Sequence, residues 1–185
     1  MKTINPSELS PMQVQMILQT AVAPRPIALA STIDKNGNVN LSPFSFFNLF
    51  SSNPPILIFS PARRVRDNST KDTLHNVLEV PEVVIGNVNF DMVQQVSLSS
   101  TEYETGVDEF IKSGLTKKPA ELVKPPLIAE SPVNFECKVI EVKPLGNEGG
   151  AGNLVICEVL KIHIREAFLN EEGNLDQKKL DLVSR

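Results

Sequence analysis

Positions 60 to 73 read Ser-Pro-Ala-Arg-Arg-Val-Arg-Asp-Asn-Ser-Thr-Lys-Asp-Thr, and three of the chain's six arginines fall inside this one segment of an otherwise acidic protein. Guanidinium groups, an ammonium, hydroxyls and the free backbone N–H groups of a helix start are the groups that hold a phosphate monoester. The same composition suits a solvated surface loop, because runs of charge mostly face water. Upstream, Ser42-Pro43-Phe44-Ser45-Phe46-Phe47-Asn48 sets small hydroxyls beside aromatics. That mixture pairs hydrogen bonds to the edge of a polar heterocycle with apolar contact to its rings. Three phenylalanines in a hydrophobic core would give the same composition.

Other chemistries have little material. His75 and His163 are the only histidines, and neither lies near a cysteine or the other in sequence, so no metal site is expected. Cys137 and Cys157 sit in apolar, strand-like runs without a CxxC spacing and read as small buried hydrophobes kept as thiols. No GxGxxG follows a strand and no Walker loop is present, so any dinucleotide must dock transiently. No catalytic acid or nucleophile is expected.

The elements that must position these residues can be read from the same string. Ser10-Pro11 before Met12, Val14, Met16, Ile17 and Leu18 signals an N-cap and a short helix. Ile27 to Ile33 suits a strand, Asn36-Gly37 a hairpin, and Val39 to Phe50 the returning arm. Ile56 to Ser60 is a short run apolar on both faces and reads as an interior strand, and Thr70 to Thr73 opens a helix carrying Leu74, Val77 and Leu78. Glu82 to Val88 is a further strand, Phe90 to Pro126 an excursion from the sheet. The apolar phase slips between Val139 and Ile140, which predicts a bulge or a change of face. After a turn at Gly146 to Gly152, a long strand from Leu154 to Ile164 should begin buried and end half exposed. Hairpin-linked strands with few helices favour an antiparallel barrel, mainly β with short helices, over a parallel sheet.

With 185 residues, 41% of them apolar, the chain suits a single domain spanning 1–185. A net charge of −4 without a broad basic surface argues against nucleic acid and anionic membrane and leaves small molecules as partners. Residues 1–11 lack an apolar signal region and no run of about 18 apolar residues follows, so a cytoplasmic location is expected.

The series Pro24 to Thr32, Asn40 to Asn48, Pro54-Pro55, Lys71-Asp72-Thr73, Asp108-Glu109-Phe110, Gly114-Leu115-Thr116 and Glu130-Ser131-Pro132 closely resembles flavin reductase-like proteins, in order and over nearly the whole chain. The resemblance implies an FMN-binding split β-barrel of antiparallel Greek-key type, a homodimer with flavin near the subunit interface. It implies cofactor contacts from Thr32, Ser45, Phe46, Phe47, Asn48, Ser60, Arg64, Lys71, Asp72 and Thr73. Ser45 to Asn48 would lie along the flavin, with Ser60, the arginine loop and Lys71 to Thr73 at its phosphate. Related reductases often carry Gly-Asp-His before the penultimate strand, where this chain has Gly149-Gly150-Ala151-Gly152-Asn153, and they usually continue beyond the point where this chain stops. The function so implied is an FMN oxidoreductase taking electrons from NAD(P)H. The alternatives are a flavoredoxin-type electron carrier with a protein donor and a flavin-binding module without turnover.

Overall fold

Asn36-Gly37 turns the chain back on itself. In the computed structural model, which describes residues 1–185, strand β1 (Ala28–Ile33) pairs antiparallel with β2 (Val39–Phe44), Ile33 opposite Val39. Gly37 takes φ 91°, a value glycine adopts without steric cost. The return does not run on to Phe50 as the sequence suggests. β2 stops at Phe44 and a separate strand, β3 (Phe47–Ser52), pairs instead with β4 (Pro55–Phe59).

The remaining strands are β5 (Glu82–Asn87), the short pair β6 (Lys117–Lys118) and β7 (Leu127–Ile128), and the long hairpin β8 (Val133–Pro144) and β9 (Asn153–Ile164). Seven of them form one antiparallel sheet in the order β2-β1-β5-β8-β9-β4-β3. β4 leaves by a long connection and lies beside β9, the last strand of the run β5, β8, β9, which is a Greek key. The two edge strands, β2 and β3, are joined by Ser45 and Phe46 alone. Such a link spans at most roughly 11 Å, so the sheet must curl until its edges nearly meet. The seam between β2 and β3 carries no ladder, and the result is a split barrel. Pro43 is tolerated because it lies on an edge strand, where a missing N–H leaves no partner stranded.

Strand alternation sorts side chains between two cores. Ala28, Ala30, Val83, Ile85, Val155 and Cys157 enter the barrel with Phe44 and Phe59, whose ring centroids are 5.3 Å apart. Leu74 and Val77 of α2 (Asp72–Glu79) close one side of that core, whereas Leu78 points to solvent. Leu29, Val84 and Val88 face the other way, under Met92, Val96, Phe110 and Leu115. Those cover residues come from the excursion, which carries α3 (Val93–Ser99) and α4 (Glu109–Ser113). Burying each such large apolar side chain contributes about 1.5–3 kcal/mol.

Register shifts at Glu136/Cys137 and Val139/Glu141 confirm the predicted phase slip. β9 has Val155 and Cys157 buried and Leu160, Ile162 and Ile164 exposed, although Leu154 and Ile156 at its start are only half-buried. Both cysteines are free and buried. α1 (Pro11–Ala21) has the predicted cap: the Gln13 N–H donates to Ser10 Oγ at 3.4 Å and the Ser10 N–H to Gln13 Oε1 at 3.0 Å. A short C-terminal helix, α5 (Gln177–Leu180), follows β9. No helix is long and apolar enough to cross a membrane.

Candidate functional site

The Ser45-Phe46 link opens onto a cleft of about 610 Å³. Its other walls are Ser60 at the end of β4, the arginine loop from Ala62 to Val65, Lys71, the Gly149-Gly150 turn, and Val14 and Leu18 of α1. A more polar cavity of about 360 Å³ adjoins it across Arg64, Val65 and Lys71 and contains Asp72, Thr73, Asn40 and Glu102. Five of the ten sequence-predicted residues, Ser45, Phe46, Ser60, Arg64 and Lys71, therefore line the main cleft, and Asp72 and Thr73 line its neighbour. Phe47 and Asn48 face a smaller recess of about 230 Å³ instead. Thr32 is fully buried outside the main cleft, where its hydroxyl accepts a hydrogen bond from Asn76 Nδ2 of α2 at 3.1 Å.

The arginine loop is an ordered turn. Arg63 Nε and Nη2 hold Asn68 Oδ1 and O at 2.6 and 2.8 Å, with Asn68 at φ 58°. Asp67 accepts from the Ser69 N–H at 2.9 Å and from its hydroxyl, and these bonds keep its carboxyl far below the usual range. Arg66 is exposed and pairs with Asp67 and Glu102 at 2.9 and 3.0 Å. Arg64 donates from Nη1 to Ser69 Oγ and Thr70 O at 3.0 and 2.8 Å and meets Glu102 at 3.3 Å through Nε. Its Nη2 has no protein partner. Of the three loop arginines it alone lines both cavities.

Lys71 is different in kind. It is the N-cap residue of α2, and its ammonium lies 5.1 Å above the Phe44 ring with no carboxylate bound to it. Burial pushes its pKa down, and the nearby charges of Arg64 and Arg185 push the same way against Glu102. No side chain caps α2, so its first N–H groups remain open. The Thr73 hydroxyl donates to Asn40 Oδ1 at 2.7 Å, and Asn40 Nδ2 donates to Glu109 Oε1 at 2.7 Å. Glu109 Oε2 also accepts the Leu41 N–H at 2.9 Å. Burial raises the Glu109 pKa against these bonds. Thr73 thus fixes the helix start and keeps no proton for a ligand in this arrangement.

Two supports were not read from the sequence as such. Arg25 is nearly buried: Nη1 donates to the carbonyls of Gln19, at 2.6 Å, and Val22, and so completes the C-terminus of α1. Its Nε reaches Ser45 Oγ at 3.4 Å and its guanidinium lies 5.9 Å from the Phe46 ring centre, which ties helix and link together. A basic residue just past a helix end was the available signal. The glycine-rich turn is the second support. Arg63 donates its N–H to Ala151 O at 2.8 Å and Gly150 donates to Arg63 O at 3.0 Å. A Cβ on Gly149 would stand 3.0 Å from Arg64 O, and one on Gly152 2.6 Å from Ser60 Oγ. Only glycine lets the two backbones meet there.

His75 is exposed and bonds Thr70 Oγ1 at 2.7 Å. His163 lies 2.5 Å from the fully buried Glu136, which also accepts the N–H groups of Glu121, Leu122 and Val123 at 2.9, 2.6 and 3.1 Å. That cluster anchors the excursion and stands apart from the cleft.

The family model of the flavin reductase like domain matches residues 21–179. A protein of Halalkalibacterium halodurans is 38% identical over 184 residues, 98% of this chain and 87% of its own. The nitrilotriacetate monooxygenase component B of Bacillus cereus superposes with a TM-score of 0.93 at 27% identity, covering 100% of this chain and 91% of that one. Flavoredoxin of Desulfovibrio vulgaris shares the fold, with a TM-score of 0.73 at 22% identity over 88% of this chain and 83% of its own.

Proposed function

Since the chain belongs to the flavin reductase-like family, we propose that it is an oxidoreductase that holds FMN in the Ser45-Phe46 cleft and takes electrons from NAD(P)H. The observation that carries the reading is Lys71: a largely buried ammonium without a carboxylate partner, beside Arg64 and an uncapped helix start, at the junction of two cavities. Burying an unpaired cation is costly unless an anion completes it. A phosphate monoester meets that requirement, and riboflavin, which lacks one, does not.

The residues present fit FMN. Arg64, Lys71 and the first N–H groups of α2 would hold the phosphate, and Ser60 closes that end of the cleft. Ser45 and Phe46 would meet the ring system with a hydroxyl and an apolar face, held in place by Arg25. FMN, once bound, supplies the hydride and electron chemistry. The chain contributes position, positive charge at one end, and exclusion of water by α1 and the Gly149-Gly150 turn. No side chain in the cleft is asked to act as acid or nucleophile.

The exposed apolar residues Leu49 and Phe50 of β3 and Leu160, Ile162 and Ile164 of β9 support a homodimer, and sedimentation at micromolar concentration tests it. The cytoplasm, where NAD(P)H is at hand, is a location that suits this function. The test of the reading is a calorimetric titration with FMN and riboflavin, followed by anaerobic NADH or NADPH while the flavin absorbance is watched. FMN should bind more tightly and bleach on reduction. Riboflavin binding as tightly as FMN would end the phosphate argument. Bleaching by dithionite but not by either nicotinamide would transfer the function to an electron carrier with a protein donor.

A further inference from the structure

Arg64 has one charged partner. Glu102, on the segment between α3 and α4, places Oε1 3.3 Å from Arg64 Nε and 3.0 Å from Arg66 Nη2. The other acidic residues of the polar cavity are engaged elsewhere, Asp72 with Thr105 Oγ1 at 3.2 Å and Glu109 with Asn40 and Leu41. We propose that Glu102 is an internal competitor for the phosphate seat, a residue that weakens FMN binding and keeps the flavin exchangeable with solution. The proposal rests on the FMN reading above and goes beyond it, because the fit of the cleft alone does not say whether FMN stays or leaves.

The argument is one of competing anions. The Glu102 side chain is 52% exposed, and an ion pair so placed is weak, so a phosphate dianion can displace it. Displacement does not remove it. Glu102 lines the cavity that adjoins the cleft at Arg64 and Lys71, so the freed carboxylate stays within repulsive range of the dianion. Before binding it neutralises Arg64, and after binding it opposes the ligand. Both effects lower affinity for FMN and neither touches riboflavin. Effects of this kind fall mostly on the dissociation rate.

The experiment compares the parent with Glu102→Gln and Glu104→Gln. Glu104, two residues away, makes no ion pair, so its substitution gives the same change of net charge without the contact. FMN and riboflavin are titrated by flavin fluorescence, and FMN release is followed by stopped flow. Glu102→Gln should tighten FMN about tenfold, about 1.4 kcal/mol, and slow its release by a similar factor. Riboflavin affinity should not change, and Glu104→Gln should change neither ligand. Weaker FMN binding in Glu102→Gln would show a carboxylate that merely props Arg64, and equal gains in both variants would show net charge alone. Either result overturns the proposal. A parent that prefers FMN to riboflavin while Glu102→Gln changes nothing sinks this inference and leaves the FMN reading standing; a parent with no preference sinks both.

Discussion

Lys71→Met removes an ammonium while keeping most of the aliphatic stem that packs near Phe44. The Lys71 side chain makes no ion pair or hydrogen bond within the chain, so nothing is left unpaired by the change. What is lost is one charge-assisted bond to phosphate, about 1.5–3 kcal/mol, or roughly ten- to hundredfold in FMN affinity. Riboflavin binding should hold. Stability should not fall, because a cation that burial and the charges of Arg64 and Arg185 destabilise has been removed. Its pH dependence has a definite sign. The folded chain releases the Lys71 proton below the usual 10.5 and the unfolded chain keeps it to that value, so between the two the unfolded state binds more protons and parent stability rises with pH. The methionine variant lacks that rise. FMN affinity, relative to riboflavin, should climb as the phosphate completes its second ionisation near pH ~6 and fall as Lys71 deprotonates. Paired calorimetric titrations with the two flavins, with urea melts alongside, read all of this. Equal losses for FMN and riboflavin would mean damage to the cleft, and no loss for either would make the basic segment an ordinary surface turn.

Gly149→Ala forces a Cβ to within 3.1 Å of the Val65 backbone, and since that neighbour is main chain the arginine loop must move. A cost of about 1–3 kcal/mol in a denaturant melt, together with weakened FMN binding, is expected. Glu136→Ala strands three backbone N–H groups and should cost at least about 2 kcal/mol. Burial opposes ionisation of Glu136, but the N–H groups of Glu121 and Leu122 and the His163 ring outweigh it and hold its carboxyl below the usual 4.5. Its contribution is therefore complete above that value and is lost as pH falls from it through the lowered folded value, so urea midpoints of parent and variant should converge in acid. Cys137 is pushed up to about 12 by burial, and Cys157 is raised as well, so a thiol reagent should label neither in the native protein and both after unfolding.

Local chemistry was legible wherever neighbours in sequence sufficed to decide it. Ser10-Pro11 specifies a capped helix, Asn36-Gly37 a hairpin, and the phase slip after Val139 a bulge or a change of face, because each rests on backbone geometry within a few residues. The resemblance of Asn40 to Asn48 and Lys71 to Thr73 to flavin proteins named the family. Residue types also marked the basic segment as a candidate anion site, though they left a solvated loop as an equal reading.

The tertiary structure decided which of those residues share a cavity. Ser45 and Phe46 look like the middle of one long strand, yet they bridge the two edges of the sheet, because β2 and β3 take different partners and the barrel must close around its core. Within the arginine loop the three guanidiniums are alike in sequence. Only folding commits Arg63 to Asn68, sends Arg66 to solvent and turns Arg64 into both cavities. Glu102 and the Gly149-Gly150 turn are far from that loop along the chain and meet it only in space. Pattern and propensity act over a few residues, whereas charge pairing and close backbone approach depend on which distant segments the sheet brings together.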